Sequence, residues 1–411
     1  MYSKTNPEKQ EANARFLTDA FAYMTEHIPP YREFDYFQET IKRRLTESIP
    51  CSRHPIVILG TAVPDELVYA CDENPYWILG GDPGMVQLSD DAVPRDTDPV
   101  SRSALGIIRS LPESYLERAM FIIPLINDSN RKLTGILKAE GRKICTLDVP
   151  PLKTSDSEKL WLRQVEKLSD ALEKHTGKSI TKRALEKAQR TVSHARREMS
   201  IFSKIALQNI GIVSGTWRML VMQSYYYAND LDEWTAQLAA LSAKIRTAVS
   251  DSQPHESCVL LMGSPIYFPN YKIPFLIEEA GMKIAMQLDY TSQRIRLDKQ
   301  NPKADLSQIA NCFFQKDAST AYPQNDALFD AAVRVFSRNH IDGVVYHVLK
   351  GQIEYDFELE RLEKLFSEHS IPVCRLETDY SYQDIEQLRI RVDAFREVLA
   401  HRNQRKEAYA V

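Results

Sequence analysis

Paired cysteines are missing from this chain. Its six cysteines, Cys51, Cys71, Cys145, Cys258, Cys312 and Cys374, stand singly and form no CxxC, which removes the usual paired spacings of zinc sites. The opening MYSKTNPEKQEANARF has no apolar core of a signal peptide. Reduced thiols, no disulfide framework and a cytoplasmic location are therefore expected. Cys145, Cys258 and Cys374 lie inside KICTLDV, SCVLLMG and PVCRLET and read as small apolar core residues. No run approaches the roughly 18–20 apolar residues that a membrane span needs. Charge of one sign is lacking too: the net charge is -4, which gives no case for nucleic acid or an anionic membrane as the main partner. Neither HExxH nor GxSxG occurs, so the zinc-protease and hydrolase-elbow chemistries have no foothold. Gly80-Gly81-Asp82-Pro83-Gly84 lacks the strand–GxGxxG–helix setting and a Lys-Ser/Thr ending, and reads as a turn.

What is present is organised. Residues 10–50 hold two helical patterns split by Pro29-Pro30. PIVILG (55–60), MFIIPLI (120–126) and KICTLDV (143–149) are then short apolar runs separated by helical spacing at 64–70 and 129–140. Near-continuous apolar strands alternating with helices predict a parallel sheet covered on both faces. WLRQVEKLSDALEKH and ITKRALEKAQRTVSHARREMSIF place apolar residues three and four apart and predict long amphipathic helices, broken near Gly177 and Gly215. The sheet texture returns in SCVLLMG (257–263), KIAMQLD (283–289), DGVVYHV (342–348) and IPVCRLE (371–377). The expected fold is α/β, with two Rossmann-like parallel-sheet lobes. Its divisions are an N-terminal helical segment (1–50), a first lobe (51–153), a helical region (154–255) and a second lobe (256–411).

Ligands of open parallel sheets gather beyond the carboxyl ends of the strands. Those ends carry Gly263-Ser264-Pro265, Tyr346-His347 and, just beyond, Lys350. A histidine there can donate to a carbonyl or phosphate, and a lysine can anchor the anionic part of a coenzyme A ester. Gly263, Ser264, Pro265, Tyr346, His347 and Lys350 are therefore the expected substrate-binding residues. Each also has a plain structural reading as a cap, a turn or a core hydrogen-bonder.

Five stretches carry a family resemblance. GTAVPDELVYA (60–70), LDVP (147–150), the run 263–289 containing IEEAGMKIAMQLD, DGVVYHVLKG, and ETDYS with EQLRIRVDAF resemble the 2-hydroxyacyl-CoA dehydratase / benzoyl-CoA reductase family, in particular its dehydratase D-component type subunits. The resemblance implies two similar α/β lobes with helical additions, in a subunit that pairs with a related one. It also implies a [4Fe–4S] cluster on cysteine thiolates, fed single electrons by an ATP-dependent activator protein. Such a cluster either eliminates water from a 2-hydroxyacyl-CoA through a ketyl radical or reduces an aromatic acyl-CoA ring.

The departures from that pattern matter most. Where the family has cysteines, this chain has Asp98, Asn127, Tyr290 and Gln352. Thiolates hold such clusters, and oxygen and nitrogen side chains do not replace them. No cluster and no other cofactor on this chain is the expectation, with Cys51, Cys71 and Cys312 falling outside the ligand segments. The leading functional expectation is an acyl-CoA-binding or partner subunit of a cluster-bearing homologue. A catalytically silent regulator or scaffold, as a homodimer, and a cytoplasmic bilobal small-ligand binder are the alternatives.

Overall fold

The computed structural model describes residues 7–46, 49, 52–94, 96–248, 256–289, 291–292, 305–317 and 319–410. In its first sheet, β1 (Ile56–Leu59), β2 (Pro75–Ile78), β3 (Met120–Leu125) and β4 (Lys143–Asp148) run parallel in the order β2-β1-β3-β4. In the second, β5 (Cys258–Gly263), β6 (Lys283–Leu288), β7 (Gly343–Leu349) and β8 (Val373–Thr378) repeat that order as β6-β5-β7-β8. The α/β architecture of two lobes is present, and both lobes share one topology. Every residue of β1 and β7 is buried. Strands with no solvent face need helices on both sides, and the parallel order supplies them as crossovers.

The helices are α1 (Pro7–Glu26), α2 (Asp35–Thr46), α3 (Glu66–Ala70), α4 (Pro99–Ser110), α5 (Glu113–Leu116), α6 (Asp128–Ala139), α7 (Ser155–Thr176), α8 (Lys182–Gln208), α9 (Gly215–Gln223) and α10 (Leu231–Arg246), followed in the second lobe by α11 (Lys272–Glu279), α12 (Leu306–Lys316), α13 (Asp326–Phe336), α14 (Glu354–Glu368) and α15 (Ile385–Ala410). Local chemistry sets their ends. Thr154, Thr181 and Ser214 accept backbone N–H bonds at the starts of α7, α8 and α9, and Gly177 closes α7 in the left-handed conformation. Among the described residues no helix is long and apolar enough to cross a membrane.

The helical parts are fused to the lobes. Arg196, in the middle of α8, is 4% exposed and donates to Glu66 and, over 2.8 Å, to Asp65, while Tyr225 donates to the other Asp65 oxygen. The two carboxylates hold the Arg196 guanidinium well above its usual pKa despite burial. Helix α1 lies against the second lobe, its Tyr23 ring stacked 3.6 Å from Phe275 and Phe16 set edge-on to Tyr382. One buried apolar cluster runs from Met24 through Ile58, Trp161 and Leu220 to Ile284 and Leu388, crossing every expected division of the chain.

Candidate functional site

In each sheet the strand order reverses between the first and third strands, at β1/β3 and at β5/β7. Crossovers leave opposite faces there and open a crevice at the carboxyl ends. The two crevices meet. Gly60, Ile126 and Asn127 from the first lobe and Pro265 and Gln352 from the second line one cavity, with Asp98 at its side. Its volume of ≈ 40 Å³ has room for about three waters.

Three of the positions that the resemblance matches to family cysteines border this cavity: Asp98, Asn127 and Gln352. Tyr290 and Cys51 lie outside the described residues. Asp98 and Asn127 also begin helices. Asp98 Oδ1 accepts from the Ser101 N–H at 3.0 Å, and Asn127 Oδ1 from the Asn130 N–H at 2.9 Å. Gln352 Nε2 reaches across the lobes to Asp98 Oδ1 at 3.3 Å. That approach depends on Gly351, at φ +85°, where a Cβ would lie 2.9 Å from the Asp96 carbonyl oxygen. Asp98 Oδ2 and Gln352 Oε1 are buried acceptors that lack a protein donor. Such a pair favours a donor group or water in the cavity.

A row of carboxylates extends behind these residues. The Glu354 carboxylate is hydrogen-bonded to the Asn127 side chain, and burial raises its pKa. Glu358, one helical turn on, accepts from Asn325 Nδ2, and burial pushes its carboxyl up to about 8. Asp289 at the end of β6 is fully desolvated and also raised. It accepts from Gln287 Nε2 at 2.6 Å, Thr291 Oγ1 at 2.7 Å and the Ser292 N–H at 2.9 Å. Sequence reasoning passed over Glu354 and Glu358, which look like ordinary acids in the first two turns of an amphipathic helix. No spacing rule distinguishes them.

The expected binding residues take several places. Pro265 lines the cavity. Gly263 and Ser264 stitch β5 to β7: the Ser264 N–H donates to His347 O at 2.7 Å, and Ser264 Oγ accepts from the Leu349 N–H at 2.9 Å. Tyr346 is buried against α14, its hydroxyl donating to the Tyr355 carbonyl at 2.9 Å. His347 is 1% exposed, with Nδ1 3.4 Å from Ser264 O and Nε2 without a partner. Burial, with Lys272 nearby, holds its imidazole down at about 4, so it is neutral at ordinary pH. Lys350 is half exposed and pairs with Asp379 at 3.1 Å. Lys272, which sequence reasoning did not single out, is 2% exposed. It donates to Asp379 O, Ser381 O and Asp384 Oδ1 within 3.0 Å, tying α11 to the loop after β8.

A [4Fe–4S] group needs converging thiolates. None of the cavity residues is a cysteine. Asp98 and Asn127 spend oxygens on helix caps, and burial raises the thiol pKa of Cys71, Cys145, Cys258, Cys312 and Cys374, against thiolate formation. Cys145, Cys258 and Cys374 sit in β4, β5 and β8 as expected. Among the described residues no group of three or more His, Cys, Asp or Glu side chains could hold a metal ion. The described residues around this cavity do not fit the cluster.

Comparison with known proteins points to one family. The chain is similar to the (R)-phenyllactyl-CoA dehydratase beta subunit of Clostridium sporogenes, at 25% identity over 64% of this chain and 70% of the relative. It is 22% identical, over 89% of this chain and 97% of the relative, to YjiM of Escherichia coli (strain K12), a proposed dehydratase subunit. The profile of the 2-hydroxyglutaryl-CoA dehydratase D-component matches residues 61–399. With that match running from just after β1 through β8 and the helices between, the chain belongs to the 2-hydroxyglutaryl-CoA dehydratase, D-component, family.

Proposed function

We propose that this chain is a dehydratase-type subunit without a [4Fe–4S] cluster of its own, which holds part of an acyl-CoA in the crevice between its lobes beside a related, cluster-bearing subunit. The observation that supports this most directly is the meeting of Asp98, Asn127 and Gln352 around one cavity at the two switch points. Hydrogen bonds occupy the place where the family keeps sulfur. The orphaned acceptors Asp98 Oδ2 and Gln352 Oε1 suit a hydroxyl or amide donor of the ligand. An ATP-dependent activator would then deliver electrons to the partner and not to this chain.

Anaerobic reconstitution with iron and sulfide tests the first half. Well below one cluster per chain and no broad visible thiolate–iron absorption are expected, and stoichiometric iron with that absorption would refute the reading. Co-expression with a cysteine-bearing relative tests the second. A stable pair whose thermal midpoint rises with an acyl-CoA is expected, whereas a lone homodimer indifferent to every CoA ester would favour the silent-scaffold alternative.

A further inference from the structure

A larger opening lies away from the interlobe cavity, along the free edge of β2. It measures ≈ 610 Å³, within the range of small-molecule sites. Its walls include Tyr76, Tyr115, Tyr227 and Phe268, and Ile78 and Leu79 separate it from the interlobe cavity, which they also line.

Arg44 projects from the last turn of α2 into this opening. Its guanidinium lies over Tyr76, with Cζ 3.2 Å from the ring centroid, and Nη2 donates to the Trp77 carbonyl at 2.9 Å. Nε and Nη1 donate to no described residue, and no described carboxylate comes within ion-pair distance. The other arginines packed into this lobe differ. Arg196 has Asp65 and Glu66, Arg109 has Asp91 and Glu140, and Arg102 has Asp90. Burial lowers the Arg44 pKa, and Tyr76, Tyr227 and Tyr115 offset part of that effect; Asp230 and Glu233 line the adjoining pocket with it but form no ion pair with it. A partly buried cation without a paired carboxylate is costly, and a carboxylate meeting its fork in two parallel hydrogen bonds would remove that cost.

We propose that the β2-edge groove binds a small organic monocarboxylate with a flat apolar body, its carboxylate on Arg44 and its body against Tyr115, Tyr227 and Phe268. The charge balance sets the class. Arg118, the other cation lining the groove, is exposed and donates to the Ser114 and Ser52 carbonyls. Asp82, nearly buried in the wall and capping the turn at Gly84, opposes a second negative charge. One cation facing one carboxylic acid suits a monoanion better than a phosphate ester. The site is independent of whether the chain carries a cluster.

Titration of the full-length chain with 2-naphthoate, its uncharged amide, AMP and inorganic phosphate tests the assignment. Saturable binding of one 2-naphthoate per chain is expected, with the amide weaker by about tenfold or more. Arg44→Gln should lose naphthoate binding by a similar factor, and Arg118→Gln should change it less than about threefold. Because Arg44 also holds β2, Ser110→Trp, which fills the groove from the exposed end of α4, provides a second variant. It should abolish binding while the thermal midpoint stays unchanged. Equal binding of acid and amide, naphthoate binding indifferent to both Arg44→Gln and Ser110→Trp, no naphthoate binding at millimolar concentration, or preference for AMP or phosphate would each overturn the proposal.

Discussion

Glu358 shows how a single side chain acquires a property that its neighbours in sequence do not foretell. In EYDFELERL it is one acid among several, yet burial beside Glu354 and Asp289 pushes its pKa from the ordinary carboxylate range up to about 8. The folded chain therefore binds a proton that the unfolded chain has released. Stability should fall as pH rises from the unfolded value, about 4.5, through about 8. Glu358→Gln keeps the hydrogen bond with Asn325 and removes the titration. Its thermal midpoint should exceed the parent's at pH 8, match it near pH 5, and the difference should grow steadily between the two; parallel midpoint curves would contradict this. His347 teaches a complementary lesson. A histidine at a strand end suggested contact with a ligand, but its ring lies in the core with a pKa near 4. Direct contact with a ligand would require movement of the surrounding core.

The elements follow their sequence patterns closely where those patterns are strong. β1, β3, β4, β5, β6, β7 and β8 coincide with the apolar runs, and α7 and α8 with the three-and-four spacing. β2 was not legible: its four residues begin with Pro75, lie at the sheet edge and are only half buried, so neither alternation nor a continuous apolar run marks it. Glycines separate element-level from site-level demands. At Gly263, φ is +100° and a Cβ would fall 2.0 Å from His347 O. Gly263→Ala should destabilise by about 2–4 kcal/mol through backbone strain and the β5–β7 clash. Gly135 sits exposed within α6 with nothing within 4 Å of a Cβ, and Gly135→Ala should stabilise by about 0.5–1 kcal/mol. Denaturant midpoints of the two variants check both signs together.

At the scale of the molecule, backbone meets backbone between the lobes. Gly81 lies where a Cβ would stand 2.5 Å from the Tyr267 carbonyl oxygen, while Asn270 N donates to Gly81 O and the Tyr380 hydroxyl to Gly80 O. Gly81→Ala should wedge the lobes, costing about 1–3 kcal/mol and enlarging the radius of gyration measured by solution scattering; an unchanged radius and midpoint would show that the contact is dispensable. The glycine run read as a turn is thus also the place where the lobes touch. The amino-acid sequence by itself determined the class of the fold, because apolar runs and helical periodicity are local consequences of burial. Only the tertiary structure brought Asp98 and Gln352 together across 254 residues, submerged His347, and left Arg44 without a carboxylate, because desolvation and charge pairing depend on neighbours that chain order does not reveal.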